Sequence, residues 1–187
     1  MEKVGVLALQ GSFAEHLAIL RRMPGIEPLE VKTIAQLEAV DRLIIPGGES
    51  TAIGKLLRKT GMLPLLQKRI EEGLAVWGTC AGLILLAKRI VGEEPYLDAM
   101  DITVKRNAYG SQLDSFRCEQ IITAISAKPI HLVFIRAPWI EAVGPEVEVL
   151  AERDGRIIAA KQGRLLATSF HPELTQDTSV YEYFLQM

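Results

Sequence analysis

Along the first half of the chain, apolar residues fall in short unbroken runs separated by amphipathic stretches. The run KVGVLAL (3–9) is continuously apolar rather than alternating, which predicts a parallel strand covered on both faces. QGSFAEHLAILRRM follows with a turn glycine, a Ser12-x-x-Glu15 capping box, and Phe13, Leu17 and Leu20 at helical spacing. Residues 27–31 and 41–46 read as the next strands, 51–59 and 62–72 as helices, and 74–78 as a fourth strand. Strand–helix alternation of this kind predicts an α/β fold, an open, mostly parallel sheet with helices on both faces.

The pattern changes in the second half. Segments 101–106, 111–122, 131–137, 146–152, 156–161 and 164–170 are short and β-like, divided by Gly, Pro or Asp-Gly turns. Asp154-Gly155 is a strong hairpin signal. Antiparallel strands are expected here, then a helix from about Thr178. Repeats, linkers and low-complexity tracts are absent, so residues 1–187 are expected to form a single domain.

Composition narrows the functional classes. The net charge is -2 with 49% apolar residues, and no basic excess points to nucleic acid or an anionic membrane. A small-molecule substrate or a protein partner fits better. Cys80 and Cys118 do not make a disulfide framework, and no metal-type spacing links them to the three histidines. MEKVGVLALQG lacks the features of a signal peptide, and the apolar run 75–87 is too short to span a bilayer. These features predict a soluble cytoplasmic protein.

Candidate chemistry centres on AVWGTCAGLILLA (75–87). A thiol between glycines, where a strand becomes a helix, has the G-x-C-x-G form of a nucleophile elbow. The turn strains the nucleophile's backbone, the starting helix favours thiolate, and the Ala81 N–H is left to donate to an oxyanion. A buried core cysteine is the competing reading. Of the candidate bases, His16 and His131 read as structural or surface residues. His171 lies in TSFHPEL, where extended geometry projects Glu173 to the same side and lets it orient the imidazole. A chance His-Pro-Glu turn is the alternative. In IIPGGESTAIGKL (44–56), paired glycines ahead of a helix suit phosphate binding, an oxyanion hole facing Cys80, or a capped turn. The absence of a GKS or GKT ending disfavours phosphate.

Gly78-Thr79-Cys80-Ala81-Gly82 together with His171-Pro172-Glu173 resembles the triad glutamine amidotransferases. LALQGSFAEH, PGGEST, GTCAGLILLAKRI, ITVKRNAYGSQLDSF, FIRAP and SFHPEL are similar to the motifs of that family's glutaminase subunits of pyridoxal phosphate synthases, from about residue 3 onward. The resemblance implies a flavodoxin-like fold and hydrolysis of L-glutamine to glutamate and ammonia. The ammonia would pass to a separate synthase subunit. It implies Cys80 as nucleophile, His171 as base and Glu173 as third triad member, with no metal or organic cofactor. It also implies Gly48, Glu49 and Ser50 as a glutamine-binding loop, Gly47 in a flexible oxyanion peptide, Arg106 for the substrate carboxylate, and Ile135 and Arg136 as a strand-end contact. Gln10 would lie on the same sheet edge, placed to sense a docked partner. Without the resemblance, Arg106 and Arg136 read as surface charge. Ser111 stands where the family often carries arginine, and segment 91–101 departs from its usual wording. A glutaminase serving another synthase, such as one forming imidazole glycerol phosphate, and a non-catalytic flavodoxin-like binding module are the competing readings.

Overall fold

The central strands form where the sequence is continuously apolar, because packing on both faces leaves no position for water-facing side chains. The computed structural model describes residues 1–106 and 115–187. The order is β1 (Glu2–Leu7), α1 (Phe13–Leu20), β2 (Ile26–Val31), α2 (Ile34–Glu38), β3 (Arg42–Ile45), α3 (Ser50–Lys59), α4 (Met62–Glu71), β4 (Ala75–Thr79) and α5 (Ala81–Leu86). Then come β5 (Ala87–Ile90), β6 (Met100–Lys105), β7 (Phe116–Gln120), β8 (Ile130–Phe134), β9 (Trp139–Val143), β10 (Glu148–Arg153), β11 (Arg156–Gln162) and β12 (Leu165–Thr168). A 3₁₀ turn at Pro172–Leu174 and helix α6 (Ser179–Leu185) follow.

The main sheet runs β2-β1-β3-β4-β12-β11-β9-β6-β5, with β10 also paired to β11. Its first five members are all parallel. Their order is that of the flavodoxin-like doubly wound sheet, which binds ligands beyond the carboxyl ends of the strands. From β12 onward the pairings with β11, β9 and β6 are antiparallel, as the second half of the sequence predicts, and β5 is parallel to β6. Strands β7 and β8 form a separate antiparallel ribbon.

Alternate side chains feed two cores. Leu7, Leu43, Ile45 and Val76 face α2 to α5, and Val4, Val6, Ile44 and Trp77 face α1, α6 and the β7–β8 ribbon. Trp77 is fully buried, edge-on to Tyr181 at 5.0 Å, and its indole N–H donates to Thr168 Oγ1 at 3.0 Å. Asp154 and Gly155 both take positive φ (51° and 73°), as a type I′ turn between β10 and β11 requires.

Several expectations need correction. The Ser12–Glu15 capping box does not form, because Ser12 makes no side-chain cap bond and turns its hydroxyl elsewhere. A capping box does form at Thr33 and Gln36, which start the five-residue α2, too short to show periodicity. Strand β5 emerges directly from α5 and β9 begins after Pro138, and neither strand is among the expected segments. Strand β1 stops at Leu7, two residues short of the apolar run, and the chain turns toward the sheet edge. Ser111, with positions 112–114 of the β-like segment 111–122, lies outside the described residues.

Arg42 ties the last helix to the sheet. It is buried, pairs through Nε with Glu2 at 2.5 Å, and donates from Nη1 to the Phe184 and Met187 carbonyls at 2.9 and 3.0 Å. Arg42→Met leaves those acceptors without their donor and should cost about 2–3 kcal/mol, read as a lower urea midpoint at constant m. A midpoint unchanged from wild type would show that aromatic packing alone holds α6.

Candidate active site

Four neighbouring parallel strands end at one edge, and each delivers part of the site. Strand β4 runs into Cys80, which takes φ 50° and ψ −103°, a conformation costing a non-glycine residue of order 1–3 kcal/mol. Hydrogen bonds pin it on both sides: its N–H donates to the Thr168 carbonyl at 2.8 Å, and its carbonyl accepts from Leu83 N–H at 3.1 Å. The flanking glycines are required by close approach. A Cβ on Gly78 would lie 2.7 Å from Leu83 N, and one on Gly82 would lie 2.9 Å from the Ile45 carbonyl carbon. The thiol is 7% exposed, and Ala81 opens α5 directly behind it.

Beyond β12, His171 and Glu173 are held by the Pro172–Leu174 turn rather than by the extended geometry expected from the sequence. The outcome for the side chains is the same. His171 Nδ1 lies 2.7 Å from Glu173 Oε1, and the ring and Cys80 both border Gly47. Cys80, His171 and Glu173 are therefore brought together at one edge of the sheet. Burial disfavours charge on His171, but hydrogen bonds to Cys80 and Glu173 and the attraction of both outweigh it, pushing the ring up to about 10. Burial would raise the Glu173 carboxyl, yet His16, His171 and Ser12 around it hold it down to about 2.

The loop after β3 closes over this chain. A Cβ on Gly47 would sit 2.5 Å from His171 Cε1 and 3.4 Å from Cys80 Cβ, so only glycine fits. The Gly47 carbonyl accepts from Ser12 N–H at 3.0 Å, which puts the Gly48 N–H on the opposite side of that peptide. Gln10 Oε1 accepts from Glu49 N–H at 2.8 Å, gripping the same loop one peptide on. Ser50 opens α3 with a buried hydroxyl that has no hydrogen-bond partner among the described residues. Arg106 bridges Glu49 and Glu93 at 2.6 Å each, which ties the loop to the 91–101 segment. Ile135 and Arg136 are exposed just beyond β8, whose Val133 carbonyl accepts from His171 N–H at 2.8 Å. They flank the hydrogen-bonded set rather than joining it, and Arg136 takes φ 44°.

Four further residues belong to this network. Ser12 Oγ donates to Glu173 Oε1 at 2.7 Å. His16, expected as a structural or surface residue, is fully buried, with Nε2 3.3 Å from Thr79 Oγ1 and 3.5 Å from Glu173 Oε2. The Tyr181 hydroxyl meets its Nδ1 at 2.7 Å. The available sequence signal is a histidine beside Leu17 on the apolar face of α1. His131 is a surface residue paired with Glu119, and Cys118 is a half-buried strand cysteine whose thiol burial pushes up. A cavity of about 620 Å³ lined by Leu74, Lys88, Arg164 and Leu165 opens at the amino ends of β4 and β12, away from this chemistry. Among the described residues no His, Cys, Asp or Glu cluster could hold a metal ion, and no helix is long and apolar enough to cross a membrane.

A nucleophile elbow, a histidine–carboxylate pair and a glycine loop on a doubly wound sheet make up a hydrolase-type site. The family model of the SNO glutamine amidotransferase family matches residues 6–187. The pyridoxal 5'-phosphate synthase subunit PdxT of Caldanaerobacter subterraneus subsp. tengcongensis is 55% identical, over 99% of this chain and 98% of that protein. Its counterpart from Clostridium botulinum is 53% identical, over 99% and 96%. A crystal structure described as a glutamine amidotransferase superposes with a TM-score of 0.91 at 49% identity, covering 98% of this chain and 97% of that one. A putative GMP synthase subunit from Thermoplasma acidophilum, at 16% identity and a TM-score of 0.66, shares the fold. The chain belongs to the SNO glutamine amidotransferase family.

The two shifted groups set a pH window. The stabilisation from His171 is complete below its ordinary value of 6.5 and is lost as pH rises from there to about 10. That from Glu173 is complete above its ordinary 4.5 and is lost as pH falls toward about 2. Between those ordinary values both are present. In Glu173→Gln the His171 ring, followed by NMR, should titrate lower than in wild type, because the carboxylate's hydrogen bond and charge are gone. An unmoved midpoint would show that Glu173 does not set the charge on His171.

Proposed function

We propose that this chain is the glutaminase subunit of a pyridoxal 5'-phosphate synthase, hydrolysing L-glutamine to L-glutamate and ammonia for a separate synthase subunit in the cytoplasm. The observation that carries this reading is the convergence of Cys80 with the His171–Glu173 pair beside Gly47 at the carboxyl edge of the sheet. Full-length likeness to subunits bearing that name supports the choice of partner.

In this mechanism the Cys80 sulfur attacks the side-chain amide carbon of glutamine. The N–H groups of Ala81 and the Gly47–Gly48 loop receive the oxyanion. His171 gives its proton to the departing ammonia, then takes one from the water that hydrolyses the γ-glutamyl thioester. Glu173 orients the ring and balances its charge. Arg106 holds the substrate carboxylate, exchanging its pairing with Glu49 or Glu93 for the ligand, and Glu49, Ser50, Ile135 and Arg136 complete the binding rim.

Partner control follows from the loop contacts. The Gly47–Gly48 peptide is fixed by Ser12 N–H, and the next by Gln10, both from the segment between β1 and α1. A synthase subunit docking on that segment sets the peptide's orientation, and with it one oxyanion donor.

Cys80→Ala should abolish glutaminase activity and Cys118→Ala should keep most of it, with an electrophilic glutamine analogue labelling Cys80 alone. Labelling at Cys118 would overturn the assignment. Adding the synthase subunit at saturating glutamine should raise turnover about 10²–10³-fold, the worth of one oxyanion donor. Gln10→Ala should blunt that rise while leaving Cys80 open to labelling. An isolated chain already at the complex's rate would rule out this control.

A further inference from the structure

Glu173 is a buried carboxylate whose two oxygens are served unequally. Oε1 receives His171 and Ser12, both at 2.7 Å. Oε2 is buried without a hydrogen bond, and His16 Nε2 faces it at 3.5 Å. A buried charged oxygen left without a donor is costly. The cost grows at the step where His171 gives up its proton, since Glu173 then loses its positive neighbour. Something else must hold the charge at that moment.

The surroundings of His16 indicate which nitrogen carries its proton. The ring is completely buried, and that burial, opposed by Glu173, lowers its pKa, so it is neutral at pH 7. Burial and the nearby Glu173 push the Tyr181 phenol well up, so it keeps its proton. With the phenol donating to Nδ1 at 2.7 Å, Nε2 bears hydrogen and lies 3.3 Å from Thr79 Oγ1 and 3.5 Å from Glu173 Oε2. The opposite tautomer would aim a lone pair at a carboxylate. The remaining charged groups acting on this pair are His171, Glu15 on α1, and Arg22. Trp77 closes the other side, edge-on to His16 at 5.9 Å.

We propose that His16 is a positioning residue for Glu173, its Nε2–H, fixed by the Tyr181 hydroxyl, holding the second carboxylate oxygen while His171 exchanges its proton. The inference rests on the triad reading given above. On this view the relay runs Tyr181–His16–Glu173–His171–Cys80 and draws on α6, α1, the turn after β12, and the elbow. Ser12 supports the same carboxylate from the first oxygen.

The test compares His16→Leu, His16→Gln and Tyr181→Phe with wild type, each with the synthase subunit, measuring kcat, KM and the pH profile. Loss of a hydrogen bond to a charged group corresponds to about a ten- to hundredfold fall in kcat. His16→Leu should show that fall with KM little changed, and the acid limb of kcat should move toward neutral pH as Glu173 takes a proton more readily. His16→Gln, whose amide places an N–H where Nε2 stood, should recover most of the activity and the wild-type limb. Tyr181→Phe keeps the ring and should show a smaller fall with the same shift. It decides the matter if His16→Leu does not fold. Wild-type kcat and acid limb in Tyr181→Phe and in any folded His16→Leu would overturn the proposal, as would a His16→Gln no better than His16→Leu. Cys80→Ala serves as reference: if it retains turnover the triad reading itself fails, whereas an inactive Cys80→Ala beside wild-type-like His16 variants removes only this inference.

Discussion

A carboxylate with almost no access to water must have its hydration replaced by protein donors, and Glu173 is in that position at 5% exposure. Much of the site's arrangement can be understood from this requirement. His171 is turned so that Nδ1 meets the carboxylate, which leaves the rest of the ring free to meet Cys80 and Gly47. Ser12 gives up the helix cap that its sequence context favours in order to supply a second donor. Removing the carboxylate would therefore disturb the start of α1 as well as the imidazole.

The sheet order brings these parts together. With β1, β3, β4 and β12 adjacent and parallel, the segments after each strand open on the same edge, although Ser12 and Glu173, which touch there, lie 161 positions apart in the chain. Close approach then limits what each segment can carry. A Cβ on Gly11 would collide with the Gly47 carbonyl, and a Cβ on Gly48 would come within 2.9 Å of Gly11 Cα. The loops after β1 and β3 are thus in contact backbone to backbone, and a displacement of one is transmitted to the other without intervening side chains.

What the sequence shows of this arrangement is what is local. The elbow around Cys80, the His171-Pro172-Glu173 turn, the paired glycines and the continuously apolar strands each lie within a short window and carry their own periodicity or turn chemistry. The Asp154-Gly155 hairpin is legible for the same reason, since its two positive φ values suit those residue types. Other features depend on distant partners. A capping box reads the same at Ser12 whether or not a carboxylate 161 positions on claims the hydroxyl. His16 on the apolar face of α1 looks like an ordinary core residue, because its role depends on Glu173 and Tyr181. Helix α2 and strands β5 and β9 span five, four and five residues, too few for a periodic signal to exceed that of their neighbours.

The backbone of Cys80 sets two demands against each other. Its positive φ stores conformational free energy that the surrounding contacts must offset, and glycine would adopt the same angles with little strain. The fold therefore gives up some of its heat tolerance at the one position where a thiol must stand clear of the strand. Breeding this chain for thermal endurance alone would favour loss of that thiol, and only a demand for turnover in the same round would keep it.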